Sequence, residues 1–314
     1  MICLAAERCE SMIPFEKLDL SNKEHYDHIL RHCGERGCEY SFANLFIWGR
    51  QKGAFLNGFV TLFSQFNRKS IYPFPVGQGD IKPVLDAIIA DAKSRGIPCR
   101  ISSMNQADCE LLESLYPGQF RFHADRDSFD YVYAIDDLAD LKGRKLQKKR
   151  SHVNRFQADH PNYQVLPLDE HTRVEAYCML QSWYAHREAV DPLNDFHLEK
   201  RALERAFAFQ TQLELEGIVI KEEGQIIAFT MGSPLNENTF DIHFEKARED
   251  IPGAYNIINR EFARYLRDKY PQLKWLNRED DLGLEGLRKA KLDYRPDHMV
   301  EKYWARLWED EDET

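Results

Sequence analysis

A strand with one polar face, followed by an acidic cluster at the end of the next strand, has the residue types for proton transfer. From Thr239 to Glu245 the chain alternates, with Phe240, Ile242 and Phe244 on one side and Thr239, Asp241, His243 and Glu245 on the other. An imidazole and a carboxylate so placed, His243 and Glu245, can take a proton from an amine or hydroxyl. They can equally be ordinary cross-strand partners. Glu279, Asp280 and Asp281 are suited to holding a cationic amine, and equally to capping a helix and complementing its dipole. Lys289, Lys291 and Tyr294 follow closely enough to return to the same cleft, although the two lysines also suit an exposed helix end. Between the two strands, Gly253, Ala254 and Tyr255 open a helix whose free amides and dipole favour an anion; the plainer reading is a turn eased by glycine.

A second concentration of charge lies upstream. Lys142, Arg144, Lys145, Lys148, Lys149, Arg150 and Arg155 fall within fourteen residues of an otherwise acidic chain. They suit a phosphate-rich partner such as tRNA, a lipid head group or coenzyme A, or else form a solvated helix face.

The elements that must position these groups can be read from periodicity. Tyr255, Ile258, Phe262 and Tyr265 recur at helical spacing, so a helix is expected from Ala254 to Lys269. Strands are expected at Gly217–Lys221 and Gln225–Gly232, joined by a polar turn, then at Leu273–Leu276 and Met299–Trp304. Helices are expected at 170–187 and 196–209, the second capped by Asp195. The first half opens with a polar helix at 22–38 and an aromatic segment, Tyr40–Trp48, expected to pack under a sheet. Short aromatic strands follow from Gly53, then a helix at 81–95 stopped by Gly96, a strand at 99–103, a helix at 106–115 and a closing strand at 130–135. Asn105, Asp108, Leu112 and Leu115 follow one strand at offsets 0, 3, 7 and 10, and Asn277, Asp280, Leu284 and Leu287 follow another at the same offsets. The halves therefore read as versions of one unit, with Asp280, like Asp108, a structural residue and Glu279 the functional one.

Length and composition set outer bounds. The 314 residues, 43% hydrophobic, suffice for two domains with cores of their own. A net charge of −10 argues against a general nucleic-acid or anionic-membrane surface. No apolar run approaches a membrane span, so the chain reads as soluble and cytoplasmic. Seven cysteines without a C-x-x-C pair suggest neither a disulfide framework nor a zinc site, and no metal is expected. Residues 1–11 read as a disordered or non-native extension and 309–314 as a solvated acidic tail.

Taken together, YSFANLFIW, LKGRKLQKKRSHVNRF, HFEKA with GAYNIINREFA, and NREDDLG with GLRKAKLDYRP resemble bacterial proteins similar to the C-terminal catalytic domain of phosphatidylglycerol lysyltransferases, over nearly the whole chain from Met12. The resemblance implies an α/β (α+β) fold of two tandem GNAT-like domains, each a mixed, mostly antiparallel sheet flanked by helices. They are expected at 12–137 and 138–308, with the site in the second. It also implies transfer of an acyl or aminoacyl group, from an aminoacyl-tRNA or from coenzyme A, to an amine or hydroxyl acceptor. On that pattern Glu245, His243, Glu279 and Tyr294 are the expected catalytic residues. Lys246, Gly253, Ala254, Tyr255, Asn277, Lys289 and Lys291 are the expected donor-binding residues, and Lys148, Lys149 and Arg150 the expected tRNA contacts. No tightly bound cofactor is expected. The usual GNAT phosphate loop, Gln/Arg-x-x-Gly-x-Gly/Ala, is not present between Lys246 and Tyr255. A non-catalytic tRNA- or anion-binding protein, or a pseudo-enzyme scaffold on the same fold, therefore stays open.

Overall fold

Two short turns of sequence show how the first sheet is assembled. Asn57 and Gly58 take φ of 50° and 85°, the paired left-handed conformation that joins β2 (Gln51–Leu56) to β3 (Phe59–Phe66) in a tight hairpin. A capping box, Asn105 with Asp108, starts the helix Gln106–Leu115 where it was expected. These features come from a computed structural model that describes residues 12–66, 69–190 and 196–308. The expected extension at 1–11, the acidic tail and the Asp195 cap lie outside the described residues.

The chain forms two units, one of Met1–Cys33, Gly49–Asp125 and Glu301–Thr314, the other of Gly34–Trp48 and Arg126–Val300. In the first, the strand order is β1 (Glu16–Lys17), β2, β3, β4 (Lys69–Pro73), β6 (Arg100–Met104), β15 (Tyr303–Leu307), β7 (Phe120–Ala124), with β5 (Val76–Gly77) beside β3. Among the described residues of this sheet, only β4 and β6 run parallel. Helices α1 (Lys23–Leu30), α3 (Lys82–Ser94) and α4 (Gln106–Leu115) belong to this unit. Val84, Leu85, Ile88 and Ala92 of α3 pack into its core with Tyr72, Ile101 and Ala305.

The second sheet has the order β14 (His298–Val300), β8 (Asp130–Ala134), β13 (Trp275–Asn277), β12 (Thr239–Ala247), β11 (Gln225–Pro234), β10 (Glu216–Glu222), β9 (Gln164–Pro167). Among its described residues the one parallel pair is β12 with β13. Its helices are α2 (Phe42–Trp48), α5 (Ile135–Asp140), α6 (Gln147–Asp159), α7 (Arg173–Val190), α8 (His197–Ala208), α9 (Ala254–Lys269) and α10 (Glu285–Leu292). Along α9, Ile257, Ile258, Phe262 and Leu266 are buried against Phe240, Ile242 and Leu276. The rings of Phe240 and Phe262 meet edge-on at 5.9 Å. The fold class is thus the expected one: two mixed, mostly antiparallel sheets flanked by helices. Among the described residues no helix is long and apolar enough to cross a membrane.

Several boundaries differ from the sequence reading. The units do not part near residue 138. Strand β8, expected to close the first half, pairs with β13 and β14 in the second sheet. The single strand expected at 299–304 is two strands, β14 in the second sheet and β15 between β6 and β7 in the first. The aromatic segment Tyr40–Trp48 contributes helix α2 to the second unit, where Phe46 packs on Phe209 and Trp48 on Phe244. The polar helix expected at 22–38 is the shorter α1.

One irregularity governs where the polar strand residues point. In the pairing of β11 with β12, Met231 lies opposite Phe244 and Gly232 opposite Ile242, so His243 is an extra residue in a β-bulge. Gly232 admits the close approach, since a Cβ there would stand 1.9 Å from the Asp241 carbonyl oxygen. A bulge adds one residue and reverses the alternation beyond it. Phe240 and Ile242 face α9 as expected, but Phe244 turns to Trp48 and Glu245 turns toward α9. The expected single row of Asp241, His243 and Glu245 is split between the two faces of the sheet.

Candidate functional site

Strands β12 and β13 are in register only from Thr239 with Trp275 to Asp241 with Asn277. Beyond that point β12 continues to Ala247, while the other chain stays bonded to β8: Arg278 N donates to the Tyr131 carbonyl at 2.9 Å and Tyr131 N to that of Glu279 at 3.1 Å. The turn is made by Glu279, with φ of 56°, whose amide donates to Asn277 Oδ1 at 2.7 Å. The strands therefore fork, and two side-chain pairs, His243 with Glu279 and Glu245 with Arg278, bridge the fork on opposite faces of the sheet.

On the α2 side, His243 Nδ1 lies 3.2 Å from Glu279 Oε1 and 3.3 Å from Asp241 Oδ2, and Nε2 lies 2.9 Å from Ser233 Oγ. Asn44 of α2 donates to the same Glu279 oxygen at 3.0 Å. The His243 and Asp241 side chains are fully buried, and Glu279 is 18% exposed. A carboxylate at Nδ1 fixes the orientation of the ring, which a general base requires. Asp241, His243 and Glu279 also bring ligand-type atoms within 4.8 Å of one another, as do Cys38, Glu39 and Asp130. The His243 separations from Glu279 and Ser233 are those of hydrogen bonds.

On the α9 side, Glu245 accepts from Arg278 Nη2 at 2.9 Å and from Asn259 Nδ2 at 3.2 Å. The Arg278 guanidinium lies over the Tyr294 ring at 5.1 Å and the Tyr133 ring at 5.7 Å. Asn256 donates to the Tyr294 hydroxyl at 2.7 Å. The Lys149 ammonium stands 4.1 Å from the Tyr294 ring centre. Burial pushes the Tyr294 phenol up to about 12 and holds Lys149 below the usual lysine value.

The remaining expected residues scatter. Lys246 points to the face opposite Glu245, pairs with Glu199 at 2.7 Å and lies 4.1 Å from the Trp183 ring centre. Burial pushes the Tyr255 phenol up to about 12. Trp183 helps line a cavity of about 890 Å³ with Met179, His186, Ile226, Arg248 and Glu249. Gly253, at φ 88°, and buried Ala254 begin α9 close against α6: a Cβ on Gly253 would meet the His152 carbonyl at 3.0 Å. Asn277 is fully buried and donates to Asp130 at 2.9 Å. Lys289 is exposed. Lys291, an expected donor-binding residue, is buried, and its ammonium serves the carbonyls of Arg278, Glu279 and Asp280. Lys148 is exposed, whereas Arg150 donates to the carbonyls of Leu141 and Gly143.

The acid that builds the loop is Asp281, not Asp280. It is fully buried and accepts from Arg288 Nε at 2.8 Å, Gly283 N at 2.9 Å and the Tyr131 hydroxyl, and the Arg288 guanidinium leads in holding its carboxyl well below the usual range. The repeated offsets break down here, since Asn277 turns a loop and α10 starts only at Glu285. Arg278, Asn259 and Ser233 were missed. The available signal was Asn259, a poor helix former on the apolar side of α9.

Comparison with known proteins places this geometry. Residues 30–306 match the family described as phosphatidylglycerol lysyltransferase, C-terminal. A conserved protein of unknown function from Bacteroides thetaiotaomicron VPI-5482 is 36% identical, covers 95% of this chain and 100% of its own, and superposes with a TM-score of 0.89. L-PGS from Bacillus licheniformis, 16% identical with 94% and 93% covered, has a TM-score of 0.67 and so shares the fold. An uncharacterized protein, MYCGA3080, from Mycoplasmoides gallisepticum (strain R(low / passage 15 / clone 2)) is 25% identical over 185 residues, 57% of this chain and 56% of that relative. The chain thus spans about half the length of the curated relative it matches. The fold is that of L-PGS, and the chain belongs to the phosphatidylglycerol lysyltransferase C-terminal family.

Proposed function

We propose that the chain transfers an acyl or aminoacyl group from an aminoacyl-tRNA or an acyl-CoA to an amine or hydroxyl, with the chemistry at the fork of β12 and β13. The observation that carries this reading is His243, set on a bulge at the fork with Glu279 and Asp241 at one nitrogen and Ser233 at the other. In this reading His243 takes the proton of the attacking amine or hydroxyl. The new bond forms at the donor carbonyl carbon, the ester or thioester bond breaks, and the proton passes to the departing tRNA hydroxyl or thiol. Glu279 and Asp241 position the ring. Glu245 is held by Arg278 and Asn259, so it acts as a positioning residue rather than the base.

The cavity lined by Trp183, over whose ring the Lys246 ammonium lies, offers room for the donor, with no tightly bound cofactor required. Exposed Lys148 and half-buried Lys149 are available to tRNA, while Arg150 keeps its loop in place. Such a donor fits a cytoplasmic protein. One observation favours a second reading, a binding protein without turnover: the protein's own pairs, His243–Glu279 and Glu245–Arg278, already bridge the fork.

The test is a transfer screen with radiolabelled aminoacyl-tRNAs and acyl-CoAs against amine and hydroxyl acceptors, for wild type and His243→Gln. Transfer that falls at least about tenfold in the variant, with the melting temperature kept, supports the base role. Donor binding without transfer in both proteins supports the second reading.

A further inference from the structure

The α9 side of the fork contains unused hydrogen-bonding capacity. Both oxygens of Glu245 are engaged, by Arg278 Nη2 and Asn259 Nδ2. That leaves Arg278 Nη1 and Asn259 Oδ1, each buried and without a hydrogen-bond partner among the described residues. Asn259 is 2% exposed. Its amide cannot be turned to cure the defect, because Oδ1 would then face the ionised Glu245. Leaving a buried guanidinium N–H and a buried amide oxygen both empty is costly, and such pairs of vacancies mark places where something else completes the bonding.

Two more groups border them. Tyr294 accepts from Asn256, so its own hydroxyl hydrogen is not used in that bond. The Lys149 ammonium lies over the Tyr294 ring and has no ion pair within 4.0 Å among the described residues; Glu245 and Asp293 are the acids that influence it. Lys149 is only half-buried, whereas Asn259 and Tyr294 are buried.

We infer that Arg278, Lys149, Tyr294 and Asn259 form a subsite for a small protonated oxyanion, a hydrogen phosphate group or a hydroxy-carboxylate, whose oxygens meet Arg278 Nη1 and whose own O–H meets Asn259 Oδ1. The donors of Arg278, Lys149 and Tyr294 supply the anion's hydrogen bonds. Asn259 supplies selectivity, because an anion without an O–H leaves its oxygen unpaired and buried. The subsite stands whether or not the fork catalyses transfer, and it differs from a surface cluster of lysines in requiring that proton.

The test titrates the full chain calorimetrically with phosphate, sulfate, glycolate and acetate at pH 7. The expected result is that phosphate binds about tenfold or more tighter than sulfate, or glycolate tighter than acetate by the same factor. Phosphate selectivity alone identifies a phosphoryl ligand, and glycolate selectivity alone a hydroxy acid. Tyr294→Phe and Lys149→Met should each weaken the preferred anion about tenfold, while Lys93→Met in the first unit leaves it unchanged. Melting curves verify that the variants fold. Equal affinity for phosphate and sulfate together with equal affinity for glycolate and acetate, or undiminished binding in both Tyr294→Phe and Lys149→Met, overturns the assignment. So does a phosphate-soaked crystal with only water at Arg278 Nη1.

Discussion

Glu279 and Asp281 stand two residues apart in one loop, and their neutral isosteres should fail in opposite ways. Asp281 accepts from Arg288 Nε and Nη2 at 2.8 and 2.9 Å, from Gly283 N at 2.9 Å and from the Tyr131 hydroxyl. In Asp281→Asn an amide NH₂ must face guanidinium donors and the charge is lost. Loss of a charge-assisted bond of this kind costs about 1.5–3 kcal/mol, toward the lower figure here because Arg288 is partly exposed. At about 2–4 °C per kcal/mol for a unit of this size, the variant should melt roughly 3–12 °C lower. Glu279→Gln keeps an acceptor for Asn44 but removes the negative charge from His243 Nδ1. Its melting temperature should move by no more than about 2 °C, while transfer falls roughly tenfold to a hundredfold, the same 1.5–3 kcal/mol applied to the transition state. Differential scanning calorimetry and initial rates on the active donor, run on both variants, decide the matter. If Glu279→Gln melts as early as Asp281→Asn, or transfers at the wild-type rate, the assignment of one residue to the site and the other to the scaffold is wrong.

Three more outcomes follow from the same structure. Gly232→Ala places a Cβ 1.9 Å from the Asp241 carbonyl and 2.8 Å from the Phe240 ring, so it should cost at least about 2 kcal/mol in urea unfolding; an unchanged midpoint would remove the bulge as described. Gly253→Asp forces a side chain into a left-handed residue 3.0 Å from the His152 carbonyl, and should lose on the order of 1–3 kcal/mol whether or not an anion is present. Wild-type stability with weakened anion binding would instead return the anion to this helix start. Tyr255 and Tyr294 are pushed up to about 12, so their phenols should titrate late at 295 nm in the folded chain. The unfolded phenols ionise near ~10, so their contribution to stability is complete below that pH and is lost as the pH rises toward 12. Titration of every phenol in one step near ~10 without unfolding would contradict their burial.

Periodicity carried the sequence reading furthest where one helix or hairpin settles its own form. The bounds of α9 are those expected from its stripe of Tyr255, Ile258, Phe262 and Tyr265, and α3 and α4 fall within a residue of expectation. What depends on pairing was not legible. Whether residue 243 is regular or bulged depends on what β11 places opposite it, and Gly232 alone does not announce that. Lys291 shows the same limit, because the three carbonyls that bury it come from a loop more than ten residues earlier. Of the candidate site, His243, Glu245, Glu279 and Tyr294 were found by type and spacing. Their division into two clusters, and the parts played by Arg278, Asn259 and Ser233, needed the fork.

The placement of β15 bears on how the protein can be made and cut. Residues 303–307 complete a sheet begun at residue 16, between strands that end at 104 and begin at 120. During synthesis β6 and β7 must therefore wait, each with an unpaired edge, while some 180 residues of the second unit emerge, a delay that exposes strand edges to wrong partners. A chain stopped at residue 300 retains every strand of the second sheet but leaves the first divided at β6 and β7. Proteolysis or truncation there should thus be felt first by the unit whose sequence lies farthest away.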